Sequence, residues 1–350
     1  MLAGKTYCPI LHARVAEIKA LERLPEPTKD LLFPLVVGRP WPNAKHLSKT
    51  WEKVSAAFGT RRFALDIDPF KRNSSSEKPA AAEFDSLFDS SDGYANYYAE
   101  VEGVEAAIPV LQLTDGFLPD LASQLEHVER LDRGVVLRVQ RDFCAQPTLL
   151  VPHVLEAYKD AVIFVDLGWS TDLLGHELWA SGILETLAEG DPEVEIVVAG
   201  SSFPEAFKKK ARDEISAYER MVFDSLVRRH NSVVITYGDW GSTRPPRLPT
   251  PMGTIPPRID VPMTREWISF RSEDGEDFDD VARRAVSDGM WPSGLNIWGT
   301  YMIEGTAHGV PDAIRGQASS AAARINIHLH RQAHFGVAGS FGDRDEPYTD

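Results

Sequence analysis

Two aspartates lie two positions apart in the run "RFALDIDPF", which begins at residue 62. Side chains on a strand alternate between its two faces, so Asp66 and Asp68 point one way while Phe63, Leu65 and Ile67 point the other. Two carboxylates held together in this way can bind a divalent cation or act as acid and base in a reaction. The spacing therefore predicts a charged site at the end of this strand.

Three further charged residues fit the same site. Asp166 lies inside the apolar run "AVIFVDL", Asp239 ends "SVVITYGD", and Arg138 lies inside "GVVLRVQ". An ionised carboxylate within an apolar run needs a partner, and the guanidinium of Arg138 is a suitable one. We predict a catalytic group of Asp66, Asp166, Arg138 and Asp239. The alternative is a charged network with a purely structural role.

The same carboxylates suggest a metal site. Asp66, Asp68 and Asp166 offer hard oxygen ligands, which suit Mg²⁺ or Mn²⁺ better than Zn²⁺. For Asp68 a structural role is an equal alternative, because Pro69 follows it and aspartate commonly caps such a turn.

Polar residues near other strand ends predict where an anionic ligand would bind. Glycine and serine at such positions let backbone N–H groups approach a phosphate. The residues assigned to ligand binding are Arg39, Gln112, Gln140, Ser201, Ser202 and Arg244. For Ser202 there is a competing interpretation, since Ser202 and Glu205 have the spacing of a helix capping box.

The elements that must position these residues alternate regularly. Eight apolar runs rich in Val and Ile are separated by stretches with helical periodicity, and the stretch 204–230 is one of these predicted helices. Strands of this composition are typical of parallel sheets that helices cover on both faces. The predicted strands span 6–11, 31–37, 62–68, 105–113, 134–140, 161–167, 194–200 and 232–239.

This pattern predicts an α/β fold, a (β/α)8 TIM-type barrel with a C-terminal α+β addition. The alternative is an open doubly wound sheet, which lacks a positive signal because no strand is followed by Gly-x-Gly-x-x-Gly. We divide the chain into a barrel, a proline-rich connector, an addition that packs on the barrel and a flexible acidic tail. Their respective bounds are 1–242, 243–262, 263–340 and 341–350. The serine-rich stretch 71–100 is interpreted as a loop, with a lid as the alternative.

Composition narrows the function classes. The 350 residues carry a formal net charge of −15, which opposes direct binding of nucleic acid. No apolar run approaches the length of a membrane span, so we expect no membrane partner. Cys8 and Cys144 have no paired spacing, which suits the reducing cytoplasm. His328, His330 and His334 are interpreted as surface residues of a docking helix, with metal binding less favoured.

Several segments together resemble the phage-type "Beta protein" family of bacteria and their viruses, over about residues 6 to 335. They are "TYCPILHARVAEIKALERLP", "LLFPLVV", "RFALDID", "AGSSFPEAF", "VITYGDW", "REWISFR" and "RINIHLHRQAHF". The resemblance implies a barrel-like α/β fold with a C-terminal addition and a part in conflict between phage and host. It lends no catalytic residues, because the family has no established reaction.

Three functions stay open at this point. The favoured one is a pocket at the carboxyl ends of the strands that binds a small anionic or phosphate-containing ligand. The second is a metal-dependent hydrolase that resembles a phosphodiesterase. The third is a non-catalytic subunit of a defence or phage complex, with a protein partner docked near Trp291 and Trp298.

Overall fold

A computed structural model describes residues 1–72, 78–113, 120–190, 193–207, 210–246, 255–273 and 275–336. Its strands are, in chain order, β1 (Ile10–His12), β2 (Leu35–Gly38), β3 (Phe63–Ile67), β4 (Ala107–Pro109), β5 (Val136–Gln140), β6 (Val162–Trp169), β7 (Ile196–Ser201), β8 (Arg212–Ser216), β9 (Ile235–Asp239), β10 (Arg258–Pro262) and β11 (Glu266–Arg271). Its helices are α1 (Val15–Glu22), α2 (Glu26–Asp30), α3 (Ser48–Phe58), α4 (Pro79–Ser86), α5 (Ala95–Glu102), α6 (Leu121–Leu131), α7 (Pro147–Ala157), α8 (Leu173–Glu189), α9 (Tyr218–Arg229), α10 (Phe278–Val286), α11 (Trp298–Ala307) and α12 (Gln317–Ala333). A 3₁₀ helix covers Pro69–Lys71.

The eight predicted apolar runs each overlap a strand, and these strands form two parallel sheets. β1, β2, β3 and β4 pair in that order, and β5, β6, β7 and β9 form the second sheet. Single backbone hydrogen bonds connect the sheets at both edges. Leu111 N donates to Val136 O over 2.9 Å, and Cys8 N donates to Tyr237 O over 2.9 Å. The α/β class and the parallel strands are confirmed.

Both faces of these strands are buried, as their composition predicted. One face packs against the helices and includes Leu11, Val36 and Leu65. The opposite face forms an inner cluster with Ile10, Leu35, Ala64, Val136 and Phe164. The period of two along a strand therefore places Asp66, Arg138 and Asp166 on the inner side, in phase with the last three.

The predicted helix over 204–230 is wrong in part. Residues Arg212–Ser216 form β8, and helix α9 begins only at Tyr218. β8 pairs antiparallel with β11, which also pairs with β10, to give a third, smaller sheet. Pairing with a strand that is distant in sequence outweighs the local helical pattern here.

This small sheet draws on three segments of the chain. β8 lies within the predicted barrel range, β10 within the predicted connector, and β11 within the predicted addition. Helix α12 packs against α1 and so joins the addition to the parallel strands. The acidic tail 341–350 and residues 247–254 of the connector lie outside the described residues.

The serine-rich stretch 71–100 is not simply a loop. It contains α4 and most of α5, and Tyr97 of α5 is buried and donates a hydrogen bond to Leu65 O over 2.6 Å. Residues 73–77 lie outside the described part. No described helix has the length and apolar character needed to cross a membrane.

Candidate functional site

Strands β3, β5 and β6 bring three of the predicted site residues into contact. Arg138 Nη1 donates to Asp66 Oδ2 over 2.7 Å, and Arg138 Nη2 donates to Asp166 Oδ2 over 2.7 Å. All three residues are buried on the inner face of the strands. We call Asp66, Arg138 and Asp166 the carboxylate–arginine triad.

The triad is well supplied with hydrogen bonds. Asp166 Oδ1 accepts from the indole of Trp240 at 3.1 Å and from Gly168 N at 3.0 Å. The guanidinium carbon of Arg138 lies 5.0 Å from the centre of the Trp240 ring. Burial lowers the pKa of Arg138, but the carboxylates of Asp166 and Asp66 outweigh it and raise that pKa above its usual value. The triad is a hydrogen-bonded ion-pair network in which one guanidinium pairs with two carboxylates, so it keeps one formal negative charge.

The metal prediction gains no support from this geometry. The cation between the carboxylates is the guanidinium of Arg138, and Asp68 is not part of the triad. Across the described ranges, no group of three or more His, Cys, Asp or Glu side chains could hold a metal ion. A magnesium or manganese site at Asp66, Asp68 and Asp166 stays a prediction.

Asp68 caps the short 3₁₀ helix that follows β3. Its Oδ1 accepts from Phe70 N over 3.0 Å, and its Oδ2 lies 3.9 Å from Arg39 Nη1. Burial raises the pKa of Asp68, although Arg39 and the Phe70 N–H act in the opposite direction. The turn role expected for this residue is confirmed.

Asp239 belongs to a second buried cluster, apart from the triad. It accepts hydrogen bonds from Tyr7, from the Tyr237 hydroxyl at 2.8 Å and from Gly241 N at 2.7 Å, and His328 Nε2 of α12 lies 2.7 Å from its Oδ2. Burial raises the pKa of Asp239, but His328 and the hydroxyl donors outweigh it and lower that pKa overall. The predicted catalytic group is thus divided between two clusters.

The histidines of α12 are not on the surface as expected. His328 and His330 are buried, and His328 connects α12 to the parallel strands through Asp239. His330 Nδ1 lies 2.9 Å from the Thr28 hydroxyl. The prediction that this helix docks on the rest of the protein is confirmed. The prediction that its histidines lie on the surface is wrong for His328 and His330.

The hydroxyl groups of the two serines at the end of β7 form hydrogen bonds within the protein. Ser201 Oγ donates to Thr243 O over 2.6 Å. Ser202 Oγ donates to Glu219 and accepts from Tyr218 N at 2.9 Å. The capping box of Ser202 with Glu205 is wrong, because no helix begins there in the described range 193–207.

Burial and the nearby charge of Asp239 raise the pKa of Glu219 to about 8.

A cleft of about 720 Å³ opens where β1, β2, β3 and β9 end and α12 begins. Six of its lining residues are basic and two are acidic. We call it the arginine cleft and define it by Arg14, Arg39, Lys71, Arg244, Arg258, Arg324, Glu17 and Asp68. Of the predicted ligand-binding residues, Arg39 and Arg244 lie here.

The carboxylates around the arginine cleft neutralise only part of its positive charge. Glu17 lies 3.8 Å from Arg14, Asp68 lies 3.9 Å from Arg39, and Glu205 lies 3.7 Å from Arg244. Asp260 is shared, since it pairs with Arg258 at 3.0 Å and with Arg324 at 2.9 Å. Among the residues that the structure describes, six cations therefore face four carboxylates.

Two buried nitrogen atoms of this cleft donate no hydrogen bond to a described residue. They are Arg324 Nε and Arg244 Nη1, and the latter lies 3.7 Å from Glu205 Oε1, an ion-pair distance that is too long for a hydrogen bond. Burial first, and then neighbouring arginines, lower the pKa values of Arg39, Arg244 and Arg324. An anion in the cleft would relieve both this repulsion and the unpaired donors.

Gln112 and Gln140, the remaining predicted ligand-binding residues, line a second pocket of about 350 Å³ at the ends of β3, β4 and β5. Asp66 and Arg138 also line it, so the triad forms part of its base. Gln112 is fixed by a 2.9 Å hydrogen bond from its Nε2 to Val110 O.

Sequence reasoning missed Arg14, Lys71, Arg258 and Arg324. Arg14 follows the first strand and Lys71 follows the third, so their positions at strand ends were a usable signal. Arg258 comes from the predicted connector and Arg324 from the addition, and nothing in their local sequence indicates that they line this cleft.

Comparisons with known proteins agree over nearly the whole chain. The sequence profile described as "Beta protein" matches residues 7–334. "Protein beta" of Enterobacteria phage P4 is 26% identical over 356 residues, which covers 97% of this chain and 97% of that protein. No solved structure gives a significant match.

Proposed function

The chain belongs to the Beta protein family, and we propose that it binds a small anionic, phosphate-containing ligand in the arginine cleft. The observation that carries this proposal is the convergence of six basic side chains on one cleft in a chain whose net charge is −15. Such a local concentration of cations is costly without a counter-charge, and guanidinium groups bind phosphate oxygens with paired hydrogen bonds.

The position of the cleft supports the same proposal. In parallel α/β folds ligands bind beyond the carboxyl ends of the strands. We propose that the eight parallel strands close into a barrel. The bonds from Leu111 to Val136 and from Cys8 to Tyr237 support closure, because they join the two sheets at both edges.

The hydrolase alternative is not favoured by a specific observation. Asp66 and Asp166, two of the carboxylates that would hold a metal, already pair with Arg138, and Asp239 lies in another cluster. We therefore propose a binding function and assign no reaction.

The setting of this function is also a proposal. A cytoplasmic location agrees with the free thiols of Cys8 and Cys144. A part in conflict between phage and host agrees with the phage source of the relative. If the cleft serves that role, cells with the wild-type gene will differ from cells with the double variant Arg39→Gln, Arg244→Gln in plaque counts after phage challenge. Equal counts would remove this part of the proposal.

Thermal unfolding with pyrophosphate at constant ionic strength tests the binding function. A ligand that binds the folded state alone stabilises it by RT ln(1 + c/Kd), where c is the free ligand concentration, and so raises the melting temperature. We expect pyrophosphate to stabilise the wild type and the control Arg130→Gln, whose side chain is exposed on α6. The double variant Arg39→Gln, Arg244→Gln should lose the shift. Equal shifts in all three proteins would place the anion elsewhere and refute the proposal.

A further inference from the structure

The second pocket, which we call the amide pocket, adjoins the arginine cleft. Phe70 of the 3₁₀ helix lines both. Asp66 lines the amide pocket and Asp68 lines the cleft, and two residues of extended backbone span about 7 Å. One small molecule can therefore reach from one pocket into the other.

The amide pocket has aromatic walls and a polar base. The rings of Phe70 and Phe143 have their centres 5.9 Å apart and are inclined at 60°. At the base lie Gln140, whose side-chain amide makes no hydrogen bond with a described residue, and Gln112. Flat apolar surfaces next to amide groups suit a planar heterocycle that stacks on one side and hydrogen-bonds at its edge.

We propose that the ligand is a nucleoside phosphate, with its base in the amide pocket and its phosphates in the arginine cleft. This inference rests on the proposed function of the cleft and adds the chemical class of the ligand. Phe70 stands at the junction, where the sugar would lie.

Other ligand classes fit the two pockets less well. An inorganic polyphosphate would leave the aromatic walls and the Gln140 amide without partners. A purely apolar molecule would bury the base of the pocket without satisfying its polar groups. A long nucleic acid would meet the negative charge of the remaining surface.

Calorimetric titration with ADP, GDP, CDP, UDP and pyrophosphate tests the inference. Stacking and edge hydrogen bonds should make at least one nucleoside diphosphate bind about tenfold or more tightly than pyrophosphate. The variants Phe143→Ala and Gln140→Ala should remove that advantage and leave the pyrophosphate affinity unchanged. Phe143 is 47% exposed, and Tyr301→Ala is a matched control because Tyr301 is an aromatic residue with the same 47% exposure.

The outcomes separate this inference from the function on which it rests. If pyrophosphate binds and every nucleoside diphosphate binds no more tightly, the nucleoside assignment is overturned and the anion site stands. If Phe143→Ala and Tyr301→Ala behave alike, the base does not lie in the amide pocket and the inference fails. If pyrophosphate and the nucleotides all fail to bind, both the proposed function and the inference fail. Tighter binding of a single-stranded oligonucleotide than of any nucleotide would overturn the inference in favour of a polymer.

Discussion

At the scale of single residues, the polar groups of the molecule fall into two kinds. The carboxylate–arginine triad is buried and internally satisfied, with both carboxylates at 2.7 Å from Arg138. The arginine cleft is only partly neutralised, and two of its buried guanidinium nitrogens donate no hydrogen bond to any residue that the structure describes. Repulsion among the arginines of the cleft is a stronger indication of a ligand than the hydrogen-bonded triad is. An added anion would stabilise the cleft, whereas the triad has no unpaired donors to bind it.

Removal of Arg138 should destabilise the protein strongly. In Arg138→Met the carboxylates of Asp66 and Asp166 stay buried without a counter-charge, and breaking such a network costs about 3–5 kcal/mol. The triple variant Asp66→Asn, Arg138→Met, Asp166→Asn should regain most of the loss. The free energy of unfolding in urea measures both. A loss below about 1 kcal/mol in Arg138→Met would show that the triad is not a closed ion-pair network.

Glu219 should make stability depend on pH. Its pKa is raised from 4.5 to about 8 in the folded protein, so the folded state keeps a proton that the unfolded chain releases. Its contribution to stability is full below about pH 4.5, declines as the pH rises towards 8, and is constant above that. The decline is on the order of 5 kcal/mol.

The variant Glu219→Gln isolates this effect. It cannot ionise, so its free energy of unfolding, measured in urea across the same pH range, should decline less than that of the wild type. Parallel curves for the two proteins would mean that Glu219 ionises normally in the folded state.

At the scale of elements, local pattern and tertiary pairing contribute differently. The parallel strands were predictable because strands buried on both faces need uninterrupted Val and Ile. β8 was not predictable, because "RDEIS" has no apolar run and becomes a strand only through pairing with β11. The buried histidines of α12 were misjudged for a similar reason, since their partners Thr28 and Asp239 are far away in sequence.

The junction of β9 with β1 depends on the absence of a side chain at Gly238. A Cβ atom there would lie 2.6 Å from the Cys8 carbonyl oxygen and 2.9 Å from Val197 Cγ1. Gly238→Ala should therefore separate the two strands and cost about 1–3 kcal/mol of unfolding free energy, measured in urea. Gly289→Ala is the control, because a Cβ at that position meets no atom within 4 Å. Equal stabilities of the two variants would argue against close contact at this edge.

At the scale of the whole molecule, the site is assembled from distant parts of the chain. The period of two along the strands was enough to place Asp66, Arg138 and Asp166 on one inner face. The same period separates Asp239 from them, because Asp239 is in phase with Tyr237 of the helix-facing cluster and out of phase with Trp240 of the inner cluster. Arg258 and Arg324 reach the arginine cleft only once α12 packs on α1 and β10 packs on α12, so no local sequence signal marks their place in the site.

Calorimetric titration of pyrophosphate into the wild type and the double variant Arg39→Gln, Arg244→Gln tests whether the arginine cleft binds an anion. Each charge-assisted contact contributes about 1.5–3 kcal/mol, so loss of two arginines should weaken binding by a hundredfold or more, about 3 kcal/mol at the least. Binding to the wild type should also weaken as salt increases. No heat of binding to the wild type, or equal affinities for the two proteins, would contradict an anion site in the arginine cleft.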